Sequence, residues 1–102
     1  MNLNLKAVYY CATSNHRWGK ALTISEAKKN AGIKGSAKGL QYYVQAALFN
    51  APSEEELKNL LCCITANPID GSPKFYDKDI TDEDEKMIKE KLVGWLIVDR
   101  NY

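Results

Sequence analysis

Leu40-Gln41-Tyr42-Tyr43-Val44-Gln45-Ala46-Ala47-Leu48-Phe49 is the stretch that decides how this chain folds. Leu40, Tyr42, Val44, Ala46 and Leu48 alternate with Gln41, Tyr43, Gln45, Ala47 and Phe49. That is the period of a strand with one wholly apolar face and one mixed face. Upstream, Leu3 to Ala12 alternates in the same way, with Leu3, Leu5, Ala7, Tyr9 and Cys11 on one face and Lys6, Val8 and Tyr10 on the other. Thr13-Ser14-Asn15-His16 reads as a turn, and Arg17 to Leu22 returns as the second arm of a hairpin.

Three helix starts punctuate the remainder. Thr23-Ile24-Ser25-Glu26 has the form of a capping box, with Ile24, Ala27 and Ala31 as the inner stripe and Gly32 as the stop. Ser53 and Glu56 form a second box, ahead of a stripe of Leu57, Leu60, Leu61 and Ile64. Thr81 caps a third helix through Asp82, Glu83 and Asp84, whose charges favour the positive end of the helix dipole. Met87, Ile88 and Leu92 are expected to face inward there, and Gly94 to end the helix. Lys74-Phe75-Tyr76 reads as a short edge strand, and Trp95-Leu96-Ile97-Val98, apolar on both faces, as a buried one. The expected architecture is a single α+β domain spanning residues 1–102. It is a two-layer sandwich with a largely antiparallel sheet of four to five strands and three helices mostly on one face. In that arrangement the mixed faces of strands 3–12 and 40–49 look outward.

The composition excludes several classes. The chain has 102 residues, 45% of them hydrophobic, enough for a core without a disulfide framework or a structural metal. Three cysteines is an odd number, which points to a reducing compartment. Met1 to Lys6 has neither the basic region nor the apolar run of a secretory signal, and no apolar run is long enough for a bilayer. A cytoplasmic protein without membrane contact is therefore expected. The net charge of +1 conceals a division: residues 1–51 hold seven cations against Glu26 alone, and residues 52–102 hold seven against twelve acids. Such a half suggests a polyanionic partner, unless the two halves attract one another across the fold.

Candidate sites follow from these patterns. Lys28, Lys29, Lys34 and Lys38 lie in a Lys/Gly-rich segment suited to phosphate contacts, although the sequence is not that of a P-loop and a solvated helix exit with a flexible loop is the favoured explanation. Lys6, Tyr10 and Tyr43, with Gln41 and Gln45, would make an open sheet face able to stack bases or to meet a protein or a second copy of the chain. Cys62-Cys63 lies opposite the apolar stripe of the second helix, where buried cysteine behaves as a small hydrophobe. Cys11, His16, Cys62 and Cys63 contain no C-x-x-C pair and no orienting acid, so neither a zinc site nor a nucleophile is complete. The acids from Asp77 to Glu85 lack EF-hand spacing. No catalytic residue, metal ligand or cofactor site is assigned.

Leu22-Thr23-Ile24-Ser25-Glu26-Ala27-Lys28-Lys29, set between two strands, resembles the short strand–helix–strand units of small phage-encoded proteins of the anti-CRISPR inhibitor kind. The resemblance implies a compact, non-catalytic protein that blocks a host nucleoprotein complex, some members presenting lysines where nucleic acid would sit. The expected function is thus a non-enzymatic interaction protein acting by surface occlusion of a protein or nucleoprotein partner. Direct nucleic-acid binding by the same lysines is the alternative, and a cysteine-dependent enzyme a third.

Overall fold

The computed structural model describes residues 4–33, 39–75 and 80–101. Its elements run β1 (Leu5–Thr13), β2 (Trp18–Ala21), α1 (Ile24–Asn30), β3 (Tyr42–Asn50), α2 (Glu54–Cys62), β4 (Ile64–Ala66), β5 (Pro73–Phe75), α3 (Asp82–Lys91) and β6 (Leu92–Asn101). Four strands form one antiparallel sheet in the order β2-β1-β3-β6, and β4 pairs with β5 in a separate hairpin. The α+β architecture with an antiparallel sheet is the expected one.

Alternation assigns the two faces of the sheet. Val8, Tyr10, Ala47 and Phe49 join Leu57, Leu60, Ile64 and Met87 in the larger core, so α2, α3 and the β4–β5 hairpin cover this face. Cys11 and Val44 face the other way and pack with Ala21, Ala27, Ala31 and Ile33, under α1. The mixed face expected to look outward is therefore the more deeply covered one. Tyr10 and Phe49 are both 0% exposed. The reason is volume: Tyr10 and Phe49 offer the largest rings at the sheet centre, and the polar members Lys6 and Gln45 need only partial exposure. The wholly apolar face receives α1 alone. Seven residues cannot cover it, and Leu5, Leu48 and Leu96 remain partly exposed there.

Local chemistry sets the helix ends. The Thr23, Ser53 and Thr81 hydroxyls each accept the amide three residues on, at Glu26, Glu56 and Asp84. Only at Ser53 is the reciprocal bond formed, the Glu56 carboxylate accepting the Ser53 amide at 2.9 Å. That bond first, and Lys91 at 3.2 Å second, hold the Glu56 carboxyl below its ordinary range. Ser53→Ala is expected to cost about 1 kcal/mol, read as a lower urea midpoint at constant m-value. An unchanged midpoint would show that α2 is held by packing alone. Gly32, at φ +89, ends α1 as expected, the Ile33 amide reaching back to the Lys28 carbonyl.

Two endings differ from expectation. The second helix stops at Cys62 rather than running through Ile64, because Ile64 pairs with Phe75 in the β4–β5 hairpin. Cys62, the last residue of α2, is thus exposed while Cys63 and Ile64 beyond it are buried, so the two cysteines do not share a helix face. Gly94 lies within β6, opposite Leu48, and α3 ends at Lys91. With the helix ending earlier, the last strand is ten residues long.

Candidate functional site

Among the described residues, the expected binding residues do not meet on one surface. Lys28 projects from α1 to the Asp99 carboxylate at 3.1 Å and stands 4.7 Å above the Tyr42 ring. Tyr42 first and Asp99 second hold its ammonium above the ordinary pKa, so this lysine is part of the α1–sheet contact. Lys29 is exposed on the same helix. Lys34 and Lys38 lie outside the described residues. Lys6 belongs to the opposite face, in a cleft of about 310 Å³ shared with Glu54 and Lys58. Lys20, a cation that sequence reasoning did not single out, donates to the carbonyls of Cys62 at 3.1 Å and Ile64 at 2.9 Å. It closes the C-terminal end of α2.

Tyr10 and Tyr43 lie on the covered face and work inside the fold. The Tyr10 hydroxyl donates to the Gly71 carbonyl at 2.8 Å, and Tyr43 reaches the same carbonyl at 3.5 Å. The loop between β4 and β5 is thereby tied to the sheet. Burial first, then the neighbouring Tyr43, Cys11 and Asp70, push the Tyr10 phenol far above its ordinary range. It stays a neutral donor. Tyr10 is a structural anchor, and the open tyrosine face foreseen from alternation is absent among the described residues.

Thiol chemistry is not prepared at Cys11 either. Burial pushes its thiol up to about 11, which outweighs the opposing effect of Lys28. A nucleophilic cysteine needs the reverse shift. No disulfide joins Cys11, Cys62 and Cys63. Among the described residues no group of three or more His, Cys, Asp and Glu side chains could hold a metal ion. No helix there is long and apolar enough to cross a membrane.

The surface that alternation did not reveal is the outer strand. Among the described residues β6 pairs with β3 alone, so Leu92–Val98 has no strand on its other side there. Val93 is 60% exposed, Leu96 54%, Ile97 45% and Val98 37%. Leu96 pairs with Ala46 and Ile97 with Gln45, so these two present apolar surface on opposite faces of the sheet. Val93 and Val98 fall at the two register shifts of this pairing, and Gly94–Ile97 between them is regular. Bulges are one means by which proteins blunt an edge; charge and proline are others, and residues 92–98 contain neither. Asp99 and Arg100 bring charge only beyond the second bulge. The edge is open to another strand over its middle four residues, with apolar side chains flanking it above and below.

Compared with protein-family models, with curated proteins and with solved structures, the chain matches none.

Proposed function

We propose that this protein is a non-enzymatic interaction protein that binds a protein partner, alone or within a nucleoprotein complex, by strand addition along β6. The observation that carries the reading is the uncharged, proline-free edge of Leu92–Val98, unpaired on its outer side among the described residues, with Val93, Leu96, Ile97 and Val98 partly exposed. Main-chain pairing along such an edge supplies affinity, and the flanking side chains supply selectivity. A partner seated there would cover apolar surface that otherwise invites uncontrolled association. Occlusion of the partner's own strand edge follows from the same contact and requires no catalytic group. The odd number of cysteines, three, supports a cytoplasmic setting. Nucleic-acid binding by the lysine segment draws no comparable support, since Lys28 is engaged with Asp99 and Lys6 lies on the other side of the sheet.

The test is a double variant, Leu96→Lys with Ile97→Lys, compared with the parent by affinity capture and by sedimentation. Both residues are solvent-facing, so stability is expected to stay within about 1 kcal/mol of the parent. The captured protein is expected to be lost with the double variant and kept with Lys29→Glu. Parent and variant capturing the same partner equally would overturn the reading. A parent that sediments as a dimer, with a monomeric variant, would keep the edge as the interface and make a second copy its occupant.

A further inference from the structure

The β6 edge is self-complementary. Lys91-Leu92-Val93-Gly94-Trp95-Leu96-Ile97-Val98-Asp99 is an uncharged block of seven residues with a cation before it and an acid after it. Trp95 is its middle residue. Laid antiparallel against a copy of itself about Trp95, the block sets apolar residues opposite one another throughout: Leu92 meets Val98, Val93 meets Ile97 and Gly94 meets Leu96. Each end then brings Lys91 of one copy toward Asp99 of the other. Opposite charges across a strand pair attract, whereas a block ending in the same charge at both ends would repel its copy. The alternative registers are poorer. A two-fold axis through a continuous sheet keeps each face on its own side, so residues pair only with residues of the same face. Gly94–Ile97 is the regular part of the strand, and an axis at Trp95 or at Leu96 keeps the central pairing within it. An axis at Leu96 would set Val93 against Asp99 and Leu92 against Arg100, charge against apolar surface. The axis at Trp95 makes no such pair.

Shape agrees with charge. Gly94 pairs with Leu48 and Leu96 with Ala46, so both belong to the sheet face that α1 covers in part. A Cβ added at Gly94 would meet no heavy atom of the described residues within 4 Å. Glycine thus leaves a notch beside Leu48, which is itself partly exposed. Leu96 is 54% exposed. About a Trp95 axis, Leu96 of each copy stands opposite the Gly94 notch of the other, at the roughly 4.5–5.5 Å of directly paired residues. The charges at the two ends have room to take part. Lys91 and Asp99 hold Glu56 and Lys28 of their own chain at 3.2 and 3.1 Å, and their side chains remain 31% and 34% exposed. Joined across the contact, they make a row of alternating charge, Glu56–Lys91–Asp99–Lys28, at each end of the paired strands.

We infer that the occupant of the β6 edge is a second copy of this chain, paired antiparallel about Trp95 so that two four-stranded sheets become one continuous sheet. This rests on the strand-addition reading of that edge and names its partner. The test begins with sedimentation of the full chain over a concentration series. A dimer is expected at about 100 μM, dissociating on dilution toward about 1 μM, as suits a small interface. The Leu96→Lys, Ile97→Lys variant is expected to dimerise about tenfold more weakly or not at all, because two lysines on each edge face their copies. The register is read on the unaltered protein, in a mixture of isotope-labelled and unlabelled chains. NOEs are expected between the Leu96 methyls of one copy and the Gly94 α-protons of the other. A parent that is monomeric at about 100 μM would overturn the inference. If that monomer still captured another protein and the double variant lost it, strand addition along β6 would stand with a different partner. A dimer equally strong in the folded double variant would place the contact elsewhere and overturn the inference. Leu96–Leu96 NOEs between copies without Leu96–Gly94 ones would overturn the pairing about Trp95.

Discussion

Replacing Phe49 with alanine is expected to destabilise the protein by about 3–5 kcal/mol, the cost of removing a fully buried ring from a core that cannot collapse around the gap. Phe49 is 0% exposed and belongs to the cluster that joins β1 and β3 to α2 and α3. Its ring meets Phe75 edge-on at 6.1 Å, and Phe75 in turn meets Trp95 at 5.6 Å. The deletion therefore loosens the β4–β5 hairpin and the paired strand β6 together. Urea unfolding checks this, with the midpoint falling and the m-value unchanged. The result also decides which face of the sheet carries the main core. A loss below about 1 kcal/mol would place Phe49 on a solvent-facing side, as the mixed alternation of residues 40–49 first suggests, and would contradict the packing of α2 and α3 described above.

The second large effect is expected at Gly19. A Cβ there would stand 2.4 Å from the Ala31 nitrogen, 2.5 Å from the Asn30 carbonyl carbon and 2.8 Å from the Ala27 oxygen. All three are backbone atoms at the end of α1, so no side chain can swing aside. Gly19→Ala forces the helix off β2 and is expected to cost about 2–3 kcal/mol. For a domain of this size that is a fall in Tm of roughly 10–20 °C. Thermal unfolding measures the loss, and amide NMR locates it in α1 and in its neighbours Cys11, Ala21 and Val44. A Tm within about 2 °C of the parent would mean that α1 does not rest on Gly19. The two substitutions probe opposite faces of one sheet, and their effects are expected to add because the clusters share no residue.

The candidate surfaces were unevenly legible for a physical reason. Alternation reports which residues share a face, but not which face a helix will choose. Residues 40–49 show one pure and one mixed face, and the helices α2 and α3 went to the mixed one because Tyr10 and Phe49 fill more space there than Val44 and Ala46 do on the other. Likewise, Trp95–Val98 is continuously apolar, which suits a central strand. It lies at the edge because the chain enters β6 directly from α3 and the sheet closes as β2-β1-β3-β6. Composition carries no record of that order. A cleft of about 510 Å³ lined by Trp18, Tyr43 and Asp70 was hidden for the same reason. Trp18, Tyr43 and Asp70 are separated by tens of residues, and only their common pairing through Ala12 and the tie of Gly71 to Tyr10 bring them together.

By itself the sequence determined what depends on neighbours along the chain. The hairpin of β1 and β2, the caps at Thr23, Ser53 and Thr81, the stop at Gly32, the α+β class and the alternation of β3 all follow from local hydrogen bonding and side-chain period. Tertiary structure alone decided which sheet face is covered, which strand is left at the edge, and which side chains share a cleft. Those outcomes rest on competition between distant surfaces for burial, and the winner is set by ring volume and strand order rather than by any short stretch of residues.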